Sequence, residues 1–201
     1  MSLKRIIIYT LLGSYCFLSF ILSLNPYNRN AWLIENLILW SFLFTCVYLY
    51  YKGIRLSLIS SIIIWIAMCW HSIGAFYSFP KVPIGFWVMN LFKLSRNPYD
   101  RMGHYIFGLL AYPLNDALKY ETTILNLLLI ILSILGISAL YEIFEWMIIS
   151  YTEYSTGFTF IASQGDIWDA QKDMLCVLLG AISSSIVSFF LKKKTKILII
   201  K

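Results

Sequence analysis

Charge is what this sequence has least of. Lysine, arginine, aspartate and glutamate together make up 13% of its 201 residues, about half their share in soluble domains. A water-soluble core this poor in charge would leave broad apolar patches exposed, so the shortage excludes an ordinary soluble domain. Thiol patterning is absent too. Cys16, Cys46, Cys69 and Cys176 lie inside apolar runs without Cys-x-x-Cys spacing, which speaks against a disulfide framework or a thiolate metal site and leaves them as small packing residues. No HExxH, GxSxG, P-loop or Rossmann glycine pattern occurs, so the common zincin, hydrolase and nucleotide-binding signatures do not apply. Nor does any stretch interleave aromatic and basic residues to stack single-stranded bases. The net charge of +6 therefore carries no nucleic-acid partner. Five of the sixteen cations sit in one tail, Lys192, Lys193, Lys194, Lys196 and Lys201, which reads as a cytoplasmic anchor facing anionic lipid.

What fills the chain instead is apolar sequence: 60% hydrophobic residues and a mean hydropathy of +0.75. Windows long enough to cross a hydrocarbon core of roughly 30 Å fall at 6–24, 32–51, 56–79, 123–149 and 174–191. A sixth, 102–118, is shorter and holds Pro113, Asn115 and Asp116, as a kinked crossing or a re-entrant segment would. The expectation is an all-α integral membrane protein, one transmembrane domain over 1–201 with about six helices, the fourth short or kinked. The N-terminal run is long for a cleavable signal and lacks an A-x-A-like site, so it reads as a retained first helix. With six crossings, ten cations fall on the side of both termini and six on the other. The positive-inside rule then places both termini in the cytoplasm of a bacterial inner membrane. The longest loops, 80–101 and 150–172, face the other side.

Six of the ten acidic residues gather in three short segments. Asp100-Arg101-Met102-Gly103-His104 sets Asp100 and His104 on one face of a helix start. Ser138, Glu142 and Glu145 share a face inside an apolar helix, and Asp166, Asp169 and Asp173 form a stripe at i, i+3 and i+7. His71, the other histidine, closes the third span. Parity brings all four groups to the same membrane face, whichever side that is. Capping offers Asp100, Asp166 and Asp169 a purely structural role, and His71 alone suits a packing position. Glu142 and Glu145 resist such a reading, because two carboxylates one turn apart in a span, near its negative dipole end, require cations, a shared proton or a metal. Arg96, Arg101 and His104 are the available protein partners.

The segments 96–104, 138–146 and 164–174, the last reading Gln164-Gly165-Asp166-Ile167-Trp168-Asp169-Ala170-Gln171-Lys172-Asp173-Met174, closely resemble the YjdF-like family of bacterial inner-membrane proteins. His71-Ser72-Ile73-Gly74 looks like a fourth motif of that family. A second histidine often follows the glycine there, where this chain has Phe76. A more distant similarity is to VanZ-like membrane proteins of the cell envelope, which also pair an Asp…His helix start with an acidic residue in a later span. The resemblance implies a membrane location and points to these residues; it implies no particular reaction.

Carboxylates with histidine and no thiolate suit Mg²⁺, Mn²⁺, Ca²⁺ or Zn²⁺. The leading reading is a metal-dependent hydrolase or transferase acting on a lipid head group or a lipid-linked envelope precursor. In it Glu142, Glu145, Asp166, Asp169, Asp173 and His104 are candidate metal ligands, and His104, Asp100, Glu142 and Glu145 are the catalytic candidates. Arg96, Arg101, His71, Gln164 and Trp168 are the substrate-binding candidates, the arginines as phosphate binders. Tyr99, Tyr141, Trp146 and Trp168 are expected at the interface or walling the pocket. The alternatives are a small proton-coupled transporter using the same carboxylates, although no inverted repeat is visible, and a non-catalytic membrane scaffold. All versions of a joint site require His104, Glu145 and Asp169 to meet at one end of the bundle.

Overall fold

Lipid offers no hydrogen bonds, so an apolar chain in a bilayer closes its backbone polar groups within helices. The computed structural model, which describes residues 2–119, 123–151 and 164–200, is helical throughout its ordered elements. Three long helices come first: α1 (Leu3–Ser23), α2 (Arg29–Tyr51) and α3 (Leu58–Tyr77). A 3₁₀ turn at Phe79–Lys81 leads into the short α4 (Pro83–Phe92). The fourth apolar segment follows as two pieces, α5 (Tyr99–Gly108) and α6 (Ala111–Leu118), before the long α7 (Ile124–Tyr151) and α8 (Asp169–Ile200). Five helices, α1, α2, α3, α7 and α8, have the length and hydropathy to cross a membrane. The expected loop at 80–101 thus contains a helix; its ten apolar residues fall short of a spanning window. Residues 152–163 of the other long loop, and the side chains of the lysine tail, lie outside the described residues.

Local chemistry sets the helix starts. Asn28 caps α2 by accepting from the Asn30 and Ala31 amides, and Ser57 caps α3 by accepting from Ser60 N–H. The Asp116 carboxylate accepts from Ser57 N–H at 2.5 Å and from the Ser60 hydroxyl at 2.6 Å, tying the end of α6 to the start of α3.

Pro113 explains the division of the fourth segment. It has no N–H to offer the Leu109 carbonyl one turn back. That carbonyl accepts instead from the Tyr112 N–H, three residues on, at 3.1 Å and from the Ser184 hydroxyl of α8 at 2.9 Å, local and neighbouring-helix partners of the kind by which spans tolerate proline. The two pieces nevertheless continue in one direction. Arg101 meets Asp169 and Asp173, Gly108 abuts Val177 and Ala181, Leu109 meets Ser184, and Asn115 donates to Ser188 at 2.6 Å. Contacts advance together along both chains, so α5 and α6 run parallel to α8, tracking it from Asp173 to Ser188, or about 22 Å at 1.5 Å per residue. A re-entrant hairpin would turn back.

The α5–α8 crossing rests on small residues. A Cβ on Gly108 would collide with the Val177 carbonyl and lie 2.9 Å from Gly180 Cα, and one on Gly180 would collide with the Tyr105 carbonyl. This close approach is the small-residue packing that drives helix association where the hydrophobic effect is absent. Below it Leu110, Ala111, Ile130, Ile134, Val177 and Ala181 form a dry core layer. Gly108→Val is expected to destabilise the protein in detergent by about 1–3 kcal/mol or more through overpacking. Gly136→Ala, whose Cβ meets nothing within 4 Å, is expected to stay within about 1 kcal/mol of the parent. Thermal unfolding of the two variants checks both.

Candidate functional site

Segments remote in sequence converge where α3 and α7 end and α2, α5 and α8 begin. The join is made by the chain on either side of α5 and α8. Asn97, fully buried, donates through its side chain to the Pro80 and Val82 carbonyls and accepts from the Tyr99 amide. Its own backbone N–H donates to Gln164 Oε1 at 3.0 Å, and its carbonyl accepts from Gln164 Nε2 at 2.9 Å. Gln164 and Gly165 both hold positive φ, 49° and 83°; glycine is at home there, and the paired amide bonds hold Gln164 in place. Asp166 then accepts from the Trp168 amide at 3.1 Å, opening α8.

Charge completes the clasp. Arg96 bonds Asp169. Arg101 bonds Asp166 at 2.6 Å, reaches Asp169 at 3.4 Å, and lies 3.8 Å from Asp173 through Nε. Lys172 bonds Asp166 at 2.7 Å. The Lys172 ammonium, then the Trp168 amide and the Arg101 guanidinium, hold the Asp166 carboxyl well below the usual carboxylate range. Its stabilising contribution is therefore complete above the unfolded value near 4 and is lost as pH falls through the depressed one.

Deeper lies a second group. His104 Nε2 stands 3.7 Å from Asp100 Oδ1 and 3.7 Å from Glu142 Oε1. Asp100, His104 and Asp173 each present one atom within 4.8 Å of the others, the size of a metal coordination sphere. Glu142 Oε1 and Asp173 Oδ1 are buried without a hydrogen-bond partner, and Asp173 is 2% exposed. Glu145 follows Glu142 one turn along α7 and is half-buried. Asp100 lies in the first turn of α5, where the positive end of the helix offsets part of the group's negative charge.

Across from it sits Glu35, 3% exposed on α2. Its Oε2 lies 3.0 Å from His71 Nε2 and accepts from the Tyr141 hydroxyl at 3.0 Å. Sequence reasoning passed over Glu35, although a lone carboxylate in an apolar span is itself a signal. Between the two groups is a cavity of about 230 Å³ whose polar end is lined by His71, Asp100, His104, Ser138 and Tyr141.

The candidate residues divide by place. His104, Asp100, Glu142, Glu145 and Asp173 gather in the deep group, with His71 across the cavity. Asp166 and Asp169, considered as metal ligands, are held by Arg96, Arg101 and Lys172; those same pairs occupy the arginines considered as phosphate binders. Gln164 has both amide atoms on Asn97. Trp168 and Trp146 are 58% and 63% exposed, facing outward as interfacial aromatics do, whereas Tyr99 is buried and stacked on Trp70 with centroids 4.3 Å apart. The N-cap of α5 is Pro98, so Asp100 lies within its first turn and not at the cap.

The sequence profile of a family described as "Predicted membrane protein (DUF2238)" matches residues 7–194. The chain belongs to this family. Inner membrane protein YjdF of Escherichia coli (strain K12) is 38% identical over 119 residues, which is 57% of this chain and 56% of YjdF. The match thus spans little more than half of that relative's length, and no solved structure matches the chain. The DUF2238 chain therefore carries the motifs that resemble YjdF-like proteins as two interlocking structural units, the clasp and the deep group.

Removing Glu35 should cost the His71 and Tyr141 contacts together. Glu35→Leu is expected to lower stability in detergent, with a coupling to Tyr141→Phe of about 0.6–2 kcal/mol in a double-mutant cycle. For the clasp, Asp166→Asn is expected to lower the melting temperature at neutral pH, and the deficit should shrink as both proteins are acidified below pH 4.

Proposed function

We propose that the protein is an inner-membrane, metal-dependent hydrolase or transferase acting on a lipid head group or lipid-linked envelope precursor. The observation carrying this reading is the buried triad of Asp100, His104 and Asp173, with ligand atoms within 4.8 Å, at the polar end of a cavity between helices. Two carboxylate oxygens lacking hydrogen bonds lie at the same place. Carboxylates buried with no hydrogen bond, their nearest cationic or imidazole neighbours 3.8 and 3.7 Å away, are costly, and a divalent cation is a natural counterweight for carboxylate and imidazole donors. Seven carboxylates, those of Glu35, Asp100, Glu142, Glu145, Asp166, Asp169 and Asp173, face three cations, Arg96, Arg101 and Lys172, which also favours a cation over a bare anion. Asp100 and Asp173 would hold such an ion through oxygen, with His104 as a ligand or base and Glu142 and Glu145 nearby on α7, and the ion would supply Lewis-acid polarisation of a phosphoryl or carbonyl oxygen. The name of the relative YjdF, an inner membrane protein, supports the location, and the cation bias supports cytoplasmic termini with the site at the outer face.

Proton-coupled transport, the competing reading, needs a continuous polar path. Between Asp173 and Ser184, about 16 Å of helix, α8 presents Val177 and Ala181, both at 0% exposure, to the dry layer with Ile130 and Ile134. The non-catalytic scaffold reading would spend many acidic groups on contacts worth only about 0.6–2 kcal/mol each.

Protein purified in detergent, stripped by chelator and titrated with Mg²⁺, Mn²⁺, Ca²⁺ or Zn²⁺, is expected to bind one of them and gain thermal stability. Asp173→Asn and His104→Ala are expected to weaken that binding by at least about tenfold and to abolish release of head group or phosphate from a lipid panel read by mass spectrometry. Parent protein that binds none of the four ions, with stability unmoved by chelation, would sink the reading.

A further inference from the structure

The cavity is more than an antechamber to the acidic group. Away from its polar end it is walled by Leu39 and Phe42 of α2, Ala67 and Met68 of α3, Phe107 of α5 and Ile137 of α7. Ile137 lines it while remaining 50% exposed, so the cavity opens sideways at that residue, partway along a membrane helix. The seam there is loosely packed. Among the described residues α2 packs along α3 and α7 along α8, but α2 and α7 make no extended contact; the hydrogen bond from Tyr141 to Glu35 spans the gap. The faces of α2 and α7 turned away from the cavity carry Leu33 and Leu37, and Leu140 and Ile143, exposed at 41%, 60%, 66% and 52%. In a bilayer both helices stand in lipid tails, so a guest that reaches Ile137 from the side comes out of hydrocarbon.

We propose that the cavity takes one fatty-acyl chain of a bilayer glycerophospholipid, admitted between α2 and α7, with the polar head left at Asp100, His104 and Asp173. This deepens the lipid-substrate reading and rests on it. Size limits the guest. At about 230 Å³ the cavity lies just below the ~300–1,000 Å³ of pockets for drug-sized ligands, room for part of one slender chain, with the remainder in the lateral opening, and not for two tails side by side. Chemistry orients it, because the apolar wall takes methylenes and the carboxylate–imidazole end takes the polar head, directly or through a bound cation.

The test uses the full chain in vesicles of phosphatidylethanolamine and phosphatidylglycerol, doped with a phospholipid carrying a diazirine near the end of one acyl chain. After photolysis, mass spectrometry is expected to find cross-links at inner positions such as Met68 and Phe107. Ile137→Trp, which blocks the mouth, and separately Ala67→Phe, which fills the interior, should each cut that labelling about tenfold, the ratio that 1.4 kcal/mol of lost contact produces. Melting temperature identifies any variant that fails to fold, and either variant alone decides. Labelling confined to outward residues such as Leu37 and Leu140, or inner labelling indifferent to both substitutions, would overturn the proposal. Inner labelling removed by an isoprenoid phosphate but not by unlabelled phospholipid would overturn the acyl assignment. Metal titration of the same samples separates the two readings: deep labelling without metal uptake defeats the metal enzyme and leaves the acyl site standing, and metal uptake without deep labelling does the reverse.

Discussion

Two guanidinium groups hold together an arrangement that apolar packing could not build. Arg96 and Arg101, on either side of the α5 start, reach Asp169, Asp166 and Asp173 at the start of α8, and the Asn97–Gln164 amide pair locks the same two segments through the backbone. Near the membrane rim such charges are less well solvated than in water, so each cation and each carboxylate reduces the cost of burying the other. The clasp sets the depth of α5 against α8. That depth in turn brings His104 opposite Asp173 and stands both beneath the end of α7, where Glu142 waits.

Much of this was legible in the sequence because helix periodicity and parity are rigid constraints. Asp100 and His104, four apart, had to share a face, and alternating crossings had to bring 71, 100–104, 142–145 and 166–173 to one side of the bilayer. Pro113 signalled a flawed fourth crossing, and the structure supplies the reason in the carbonyl of Leu109, shared between the Tyr112 N–H and the Ser184 hydroxyl. Spacing could not reveal which carboxylates the arginines would take. That choice depends on side-chain reach across helices, and it separates Asp166 and Asp169, hydrogen-bonded to arginine, from Asp173 and Glu142, whose buried oxygens are left without hydrogen bonds.

Glu35 escaped for a different reason. It belongs to no recognisable cluster in the sequence, and its partners His71 and Tyr141 come from two other helices. A single acid amid apolar residues has no local pattern to read; only its cost in lipid marks it. Short α4 escaped because a ten-residue apolar helix falls beneath any spanning window.

The division between α5 and α6 has a mechanical side. The lower piece is moored at both flanks, Asn115 to Ser188 and Asp116 to the start of α3, while the upper piece carries Asp100, Arg101 and His104. Leu110 N–H bonds to Phe107, three residues back, so the joint has already given up regular α-helical continuity. Any tilt of the upper piece would bend the chain at that worn link, and the Arg101 pairs with the start of α8 are what brace it against such bending.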